Sequence, residues 1–228
     1  PNMFRRLFAE GAFNTAFIPI LSKKISANKN PEGFASDALS FLIIVLLILT
    51  AVAEMVMPLL VFGTASGFSS DSRFDLSVSF GRVMFPYIFL ISLSAFLGGI
   101  LNTLNRYSVT AAAPLLLNLF FIASILIAYI FELDFGWSLT FCVPLAGLSQ
   151  LGLTILFVKK ECFSLQIKMP KLTPEILRLI KIAIPAALAG GVIQINLVVG
   201  RQVASYFEGA VAWLNYADRI YQLPLGMV

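Results

Sequence analysis

The sequence predicts an all-α protein, a polytopic bundle of transmembrane helices. Of its 228 residues, 59% are hydrophobic and only 12% are charged, and the mean hydropathy is +0.90. In a soluble domain about a quarter of the residues are charged. The apolar residues also form blocks of the length that a helix needs to cross a bilayer, about 20 residues. Both observations place the chain in a membrane.

Seven apolar blocks predict seven membrane segments. In chain order they cover residues 4–22, 38–63, 78–104, 111–131, 137–158, 176–207 and 210–228. The first block carries charged residues and does not have the pattern of a signal peptide, and the last block reaches Val228 without a flanking loop. We therefore expect the chain to be an internal piece of a longer protein.

The loops between these blocks alternate in charge, which tests the segments independently of hydropathy. One set is basic and is predicted to face the cytoplasm; it holds Lys23, Lys24 and Lys29, then Arg106, then Lys159, Lys160, Lys168 and Lys171. The other set is predicted to lie outside; it holds Asp71, Arg73 and Asp75, then Glu132 and Asp134, then Glu208. The chain changes side at every predicted crossing.

The longest basic loop predicts a boundary between two lobes. Residues 161–175 contain Pro170 and Pro174, which favour a cytoplasmic linker, and Thr173 is a candidate N-cap of the next helix. The predicted domains are an N-terminal lobe at 1–160, the linker at 161–175 and the start of a C-terminal lobe at 176–228.

Charged residues inside the first and last segments are the candidates for function. An arginine or aspartate in mid-membrane costs about 2.5 to 3.5 kcal/mol on insertion scales. Arg6 and Glu10 are four residues apart and can pair on one helix face, whereas Arg5 points about 100° away. An arginine without a partner indicates a water-filled cavity or an anionic ligand. The alternative for Arg5 is that it snorkels to an interface or pairs with a helix outside this chain. Asp218 and Arg219 repeat this pattern in the last segment.

Three further charges in apolar blocks are not expected to contact a ligand. Arg82 and Arg201 lie near the outer ends of their segments, and Glu54 lies deeper, without a partner that the sequence identifies.

Several classes of chemistry find no support in the sequence. The chain has no histidine, and Cys142 and Cys162 are too far apart for a metal knuckle or a redox pair. It has no Ser/His/Asp set, aspartate-rich metal motif or glycine-rich phosphate loop. The net charge of +4 is explained by membrane topology without nucleic acid. We therefore expect no enzymatic activity, no cofactor and no metal.

Four stretches of the chain resemble the MurJ (MviN) family. They are Pro1 to Ser22 with the motif PNMFRRLFAEGAF, Phe85 to Arg106, Ala113 to Asn118, and Trp213 to Gly226 with WLNYADRIYQLPLG. They occur in family order and span most of the chain. The resemblance implies the fold of the multidrug/oligosaccharidyl-lipid/polysaccharide (MOP) exporters, with this chain covering about helix 2 to the start of helix 8.

The resemblance also implies a function. The family moves lipid II, an undecaprenyl diphosphate bearing a disaccharide-pentapeptide, to the periplasmic leaflet of the bacterial inner membrane for cell-wall synthesis. Its cationic cavity implies substrate contacts at Arg5 and Arg219, with Glu10, Arg6 and Asp218 in the same motifs. The implied partners are lipid II, membrane lipids and other cell-wall synthesis proteins. Where many relatives carry an aspartate linked to a sodium site, this chain has Gly200 and Arg201, and an arginine there opposes cation binding.

Three alternatives stay open from the sequence. A related exporter of drugs or of other lipid-linked glycans would share the fold. A membrane enzyme acting on polyprenyl phosphates is disfavoured by the missing histidines and acidic clusters. A scaffold is disfavoured by the intramembrane arginines.

Overall fold

The computed structural model describes residues 12–68 and 73–225, and within these ranges the chain folds into α-helices joined by short connections and by the non-helical stretch 161–173. The described helices are α1 (Ala12–Ser26), α2 (Pro31–Met55), α3 (Met57–Ala65), α4 (Arg73–Met84), α5 (Tyr87–Thr103), α6 (Tyr107–Ile130), α7 (Phe135–Lys160), α8 (Pro174–Ala204) and α9 (Ala210–Leu225). A 3-10 turn, Ser66–Phe68, follows α3. The predicted all-α class is confirmed.

Prolines interrupt two of the predicted membrane segments. The segment predicted at 38–63 is split at Val56 into α2 and α3, and Pro58 lies in the first turn of α3. The segment predicted at 78–104 is split into α4 and α5 at Pro86. Proline lacks the N–H group of a helical hydrogen bond, and its ring crowds the preceding turn. The remaining prolines inside described helices leave them continuous: Pro19, Pro114, Pro144 and Pro185.

Five helical stretches are long and apolar enough to cross a membrane. They are Pro31–Met55, Arg73–Thr103, Tyr107–Ile130, Phe135–Lys160 and Pro174–Ala204. With 24 to 31 residues each, they extend about 36 to 46 Å at 1.5 Å per residue, which exceeds a hydrocarbon core of about 30 Å. The predicted segment 4–22 lies partly outside the described residues. Helix α9, with 16 residues, is shorter than these spans.

Aromatic packing holds the first helix to its neighbours. The ring of Phe17 lies 4.6 Å from that of Phe96 in α5 and 5.7 Å from that of Phe34 in α2, centroid to centroid. Ile176 and Leu179 of α8 are fully buried in the same core. Because lipid is as apolar as these side chains, close packing stabilises the arrangement more than the hydrophobic effect does. Helix α8 is therefore fixed to the helices that precede it.

Loops that the charge pattern assigns to one side do meet at one end of the bundle. Arg106 forms an ion pair with Glu161 at 2.8 Å, and Lys24 forms one with Glu175 at 2.7 Å. The amide of Ser164 also donates to Glu32 at 3.0 Å. These contacts join three connections that were placed together from charge alone. They agree with the predicted topology.

Side-chain caps set the start of three helices, and Asp134 caps α7 through the amide of Trp137. Thr173 accepts a hydrogen bond from the amide of Ile176, which confirms the predicted N-cap of α8. Asn30 caps α2 in the same way through the amide of Gly33, so α2 begins at Pro31 rather than near residue 38. The early start adds a polar turn to this helix, and the linker binds there.

Candidate functional site

The predicted substrate residues fall into two groups in the structure. Arg5, Arg6 and Glu10 lie outside the described residues. Asp218 and Arg219 lie on α9, where Asp218 is half-buried and Arg219 is exposed. Neither of these two forms an ion pair within the described part of the chain. Their role in binding therefore stays a prediction.

A cavity of about 370 Å³ lies beside the start of α9. Its lining includes Phe68 of the 3-10 turn, Arg73 of α4, and Gly209 and Asn215 at the start of α9. The guanidinium of Arg73 lies 4.9 Å from the centroid of the Phe68 ring. Asn215 is one helical turn before Arg219, so the cavity extends from the outer loops towards the polar part of α9.

Helix α8 contacts the preceding helices near both of its ends. Its first turns pack on α1, and its last turns pack on α3 and the 3-10 turn. We call the second region the outer contact and define it by Ser66, Gly67, Gln202, Ser205 and Tyr206.

The outer contact is a cluster of hydrogen bonds between residues more than 130 positions apart. The amide of Ser66 donates to Gln202 Oε1 at 3.2 Å, and the hydroxyl groups of Ser66 and Tyr206 are 2.7 Å apart. The amide of Gly67 donates to Ser205 Oγ at 3.0 Å. Ser66 and Ser205 are both buried. Hydrogen bonds between groups shielded in this way stabilise the contact, because an amide or hydroxyl group left unpaired away from water costs free energy.

Only glycine fits at position 67. A Cβ atom there would lie 2.5 Å from the carbonyl carbon of Ser205 and 2.7 Å from the amide nitrogen of Tyr206. Both are backbone atoms, which cannot rotate away as a flexible side chain does. The two chain segments are therefore in direct backbone contact at the predicted outer end of the bundle.

At the predicted cytoplasmic end of the bundle, the inner end, α1 and α8 are joined by an ion pair. Lys24 Nζ lies 2.7 Å from Glu175 Oε1, 5.5 Å from the centroid of the Phe34 ring and 3.4 Å from the carbonyl oxygen of Lys29. Its side chain is 18% exposed. The ammonium group is thus fixed by three neighbours between α1 and α8.

A cleft of about 520 Å³ opens beside this ion pair. Four cationic side chains and one carboxylate line it, namely Lys23, Lys24, Lys29, Arg178 and Glu175. Most of the remaining lining is apolar and comes from Ala16, Pro19, Ile20, Ala27 and Ile182. We refer to this cavity as the basic cleft.

The linker before α8 lies along α2 and is bonded to it by a regular ladder. The amides of Ser164, Gln166 and Lys168 donate to Glu32, Ser36 and Ser40 at 3.0, 3.1 and 2.9 Å. Alternate residues of an extended chain are about 6.6 Å apart, and four residues of a helix rise about 6.0 Å. The two repeats match closely enough for three bonds in a row, so the linker positions the start of α8.

Glu54 has an electrostatic neighbour that the sequence did not identify. Arg82 of α4 is the charged group that acts on Glu54 near the break between α2 and α3. One carboxylate oxygen of Glu54 is buried without a hydrogen-bond partner. Arg82 is exposed.

Comparison with known proteins gives one consistent result. The sequence model described as lipid II flippase MurJ matches residues 1–228. A probable lipid II flippase MurJ from Rhizobium tropici is 47% identical over 235 residues, which are 100% of this chain and 44% of that protein. The lipid II flippase MurJ of Burkholderia cenocepacia is 35% identical over 246 residues, which are 100% of this chain and 46% of that protein.

A solved structure agrees with the fold. It is described as lipid II flippase MurJ in an inward closed conformation, and it superposes with a TM-score of 0.80 at 25% identity. The match covers 99% of this chain and 47% of that one. The chain thus spans less than half the length of these relatives. Together with the five apolar spans, the comparisons show a multi-pass membrane protein with the predicted fold.

Proposed function

Because this chain belongs to the lipid II flippase MurJ family, we propose that it is part of a flippase that moves lipid II from the cytoplasmic to the periplasmic leaflet of the bacterial inner membrane. The family match over all 228 residues carries this proposal. In the proposed cycle the lipid-linked peptidoglycan precursor crosses by alternating access, without covalent chemistry. A positively lined cavity lowers the cost of moving a large polar headgroup through hydrocarbon.

The outer contact supports alternating access. It closes the predicted outer end with hydrogen bonds and a close backbone approach at Gly67. Each such bond contributes about 0.5 to 1.5 kcal/mol net, so the closed state can be exchanged for another within a transport cycle. The linker ladder on α2 would meanwhile hold the inner end of α8 as the two lobes rock.

The diphosphate of the substrate is proposed to bind Arg5 and Arg219. A guanidinium can donate two parallel hydrogen bonds to phosphate oxygens and stays charged in a membrane. Arg6, Glu10 and Asp218 are proposed to line the same site. The two motifs that hold these residues begin and end the chain, so the site would form where the two lobes face each other.

Translocation by the intact protein tests this function. The protein is reconstituted in vesicles with a fluorescent lipid II, and reagent-accessible label is followed over time. We expect translocation that unlabelled lipid II inhibits and that cationic drugs do not. Inhibition by the drugs, or transfer of other lipid-linked glycans without transfer of lipid II, would favour a related exporter instead. A chemically altered lipid product would indicate an enzyme.

A further inference from the structure

The cationic side chains of the basic cleft come from three separate parts of the chain. Lys23 and Lys24 end α1, Lys29 lies in the turn that follows, and Arg178 lies in the second turn of α8. Glu175 neutralises one of the four charges through its pair with Lys24. Three positive charges therefore remain at the mouth of one cavity.

The positive-inside rule explains basic residues on this side but not their convergence. Lys159 and Lys171 also lie in predicted cytoplasmic loops and are exposed, yet neither lines the cleft. Arg106 is already paired with Glu161. An anion at the mouth of the cleft would thus be attracted by several groups at once.

The apolar residues on the floor of the cleft, below the cations, indicate what the rest of the ligand is. The floor is lined by Ala16, Pro19, Ile20 and Ile182. Lys23 and Ala16 are seven residues apart on α1, so the surface changes from charged to apolar over about 10 Å. A sugar or peptide headgroup would find few hydrogen-bond partners on such a floor, whereas a hydrocarbon chain would be well accommodated.

We propose that the basic cleft binds the phosphate of an anionic phospholipid of the cytoplasmic leaflet, with the start of an acyl chain on its apolar floor. This site lies beyond the proposed transport function, since the bound lipid is not the cargo. The lipid would bridge α1 and α8, next to the Lys24–Glu175 pair, and would stabilise their packing. Lysine and arginine near the surface each contribute to binding of anionic lipid.

Lipid binding is measured on the intact protein in detergent by native mass spectrometry. The probes are phosphatidylglycerol, phosphatidylcholine and inorganic diphosphate. We expect phosphatidylglycerol to bind at least tenfold more tightly than phosphatidylcholine. The combined variant Lys23→Gln, Lys29→Gln and Arg178→Gln should weaken phosphatidylglycerol binding about tenfold. Lys24 is kept, because its removal would leave Glu175 unpaired beside the cleft.

Two matched variants separate this site from general attraction. Lys159→Gln with Lys171→Gln removes charge from the same predicted side and should leave binding within twofold of the unmodified protein. Ile182→Ser alters the floor and should weaken phosphatidylglycerol binding while leaving any binding of inorganic diphosphate unchanged. Thermal unfolding of each variant without lipid checks that it folds.

The proposal is overturned by any of three results. Equal phosphatidylglycerol binding by the triple variant and the unmodified protein would show that the three cations do not form the site. An equal loss of phosphatidylglycerol binding in the triple variant and in the Lys159/Lys171 control would show that the lipid is attracted by charge in general and not by this cleft. Displacement of the lipid by diphosphate, with no effect of Ile182→Ser, would show a site for free phosphate. Since the readout is lipid occupancy, it is independent of whether lipid II is translocated.

Discussion

Replacing Gly67 with alanine should open the outer contact. The added Cβ atom would lie 2.5 Å from the carbonyl carbon of Ser205, and an ordinary contact needs about 3.4 Å or more. The two segments must therefore separate by about 1 Å. A hydrogen bond of 3.0 Å, such as that from the Gly67 amide to Ser205 Oγ, would lengthen to about 4 Å and be lost.

The size of the effect follows from the bonds that share this interface. Besides the Gly67 bond, three bonds cross it: two between Ser66 and Gln202 and one between Ser66 and Tyr206. At about 0.5 to 1.5 kcal/mol each, four bonds amount to about 2 to 6 kcal/mol. Because 1.4 kcal/mol is a factor of ten, the contact should open between about thirtyfold and ten-thousandfold more often.

Hydrogen–deuterium exchange of the intact protein measures this opening. Amides of residues 60–68 and 200–207 should exchange faster in Gly67→Ala, while those of α7 should be unchanged. Gly63→Ala is the control, since a Cβ atom at Gly63 has no neighbour within 4 Å. It should exchange like the unmodified protein. Unchanged exchange in both segments of Gly67→Ala would refute the close backbone contact.

Three further predictions concern the topology, the substrate site and the linker. Single cysteines are placed in protein that lacks Cys142 and Cys162, and whole cells are treated with a thiol reagent that does not cross the membrane. Cysteines at Lys29 or Lys168 should be shielded from the reagent, and cysteines at Ser72 or Asp134 should be labelled. Labelling at Lys168 would overturn the predicted topology. Arg219→Ala and Arg5→Ala should each abolish complementation at a near-normal protein level, and Arg219→Lys should restore it in part. Arg6→Ala should instead lower the protein level, and adding Glu10→Ala should restore that level. Full function of both Arg219→Ala and Arg5→Ala would exclude diphosphate binding by these arginines. Ser40→Ala removes the acceptor of the Lys168 amide and should lower the free energy of unfolding by about 1 to 3 kcal/mol, measured by thermal unfolding. The control is Ser149→Ala, at a half-buried serine whose hydroxyl donates to Leu145 of its own helix; equal stability of the two variants would contradict the ladder.

The sequence predicted the membrane helices well because hydrophobicity and loop charge are local signals. The segments predicted at 111–131, 137–158 and 176–207 correspond to α6, α7 and α8. The start of α2 was wrong, since the window followed hydropathy and ignored the capping residue Asn30 before Pro31. The polar side chains of Glu32, Ser36 and Ser40, one turn apart, were a readable sign that something polar packs there.

The outer contact could not be predicted from the sequence. Ser66 and Gly67 follow one apolar block, and Ser205 and Tyr206 lie at the end of another, and such residues are common at the ends of helices and in loops. Their importance comes from the meeting of two segments that are about 140 positions apart, which no local pattern encodes. The same holds for Glu54 and Arg82, whose charges were noticed separately but not as neighbours.

The substrate residues rest on the family motifs. Arg5, Arg6 and Glu10 lie outside the described residues, and the described positions of Asp218 and Arg219 show no partner. An arginine in a membrane segment indicates a function by its cost alone, but only the resemblance indicates a diphosphate. The variants of Arg5 and Arg219 are therefore the test of diphosphate binding.

Locking the outer contact tests alternating access most directly. Cysteines at Ser66 and Gln202, in intact protein without Cys142 and Cys162, are joined by a short bifunctional thiol reagent that a reductant releases. Lipid II translocation is then measured in vesicles before linking, after linking and after release. We predict transport before linking, arrest in the linked protein and recovery on release. Transport at an unchanged rate by fully linked protein would contradict a cycle in which this end must open.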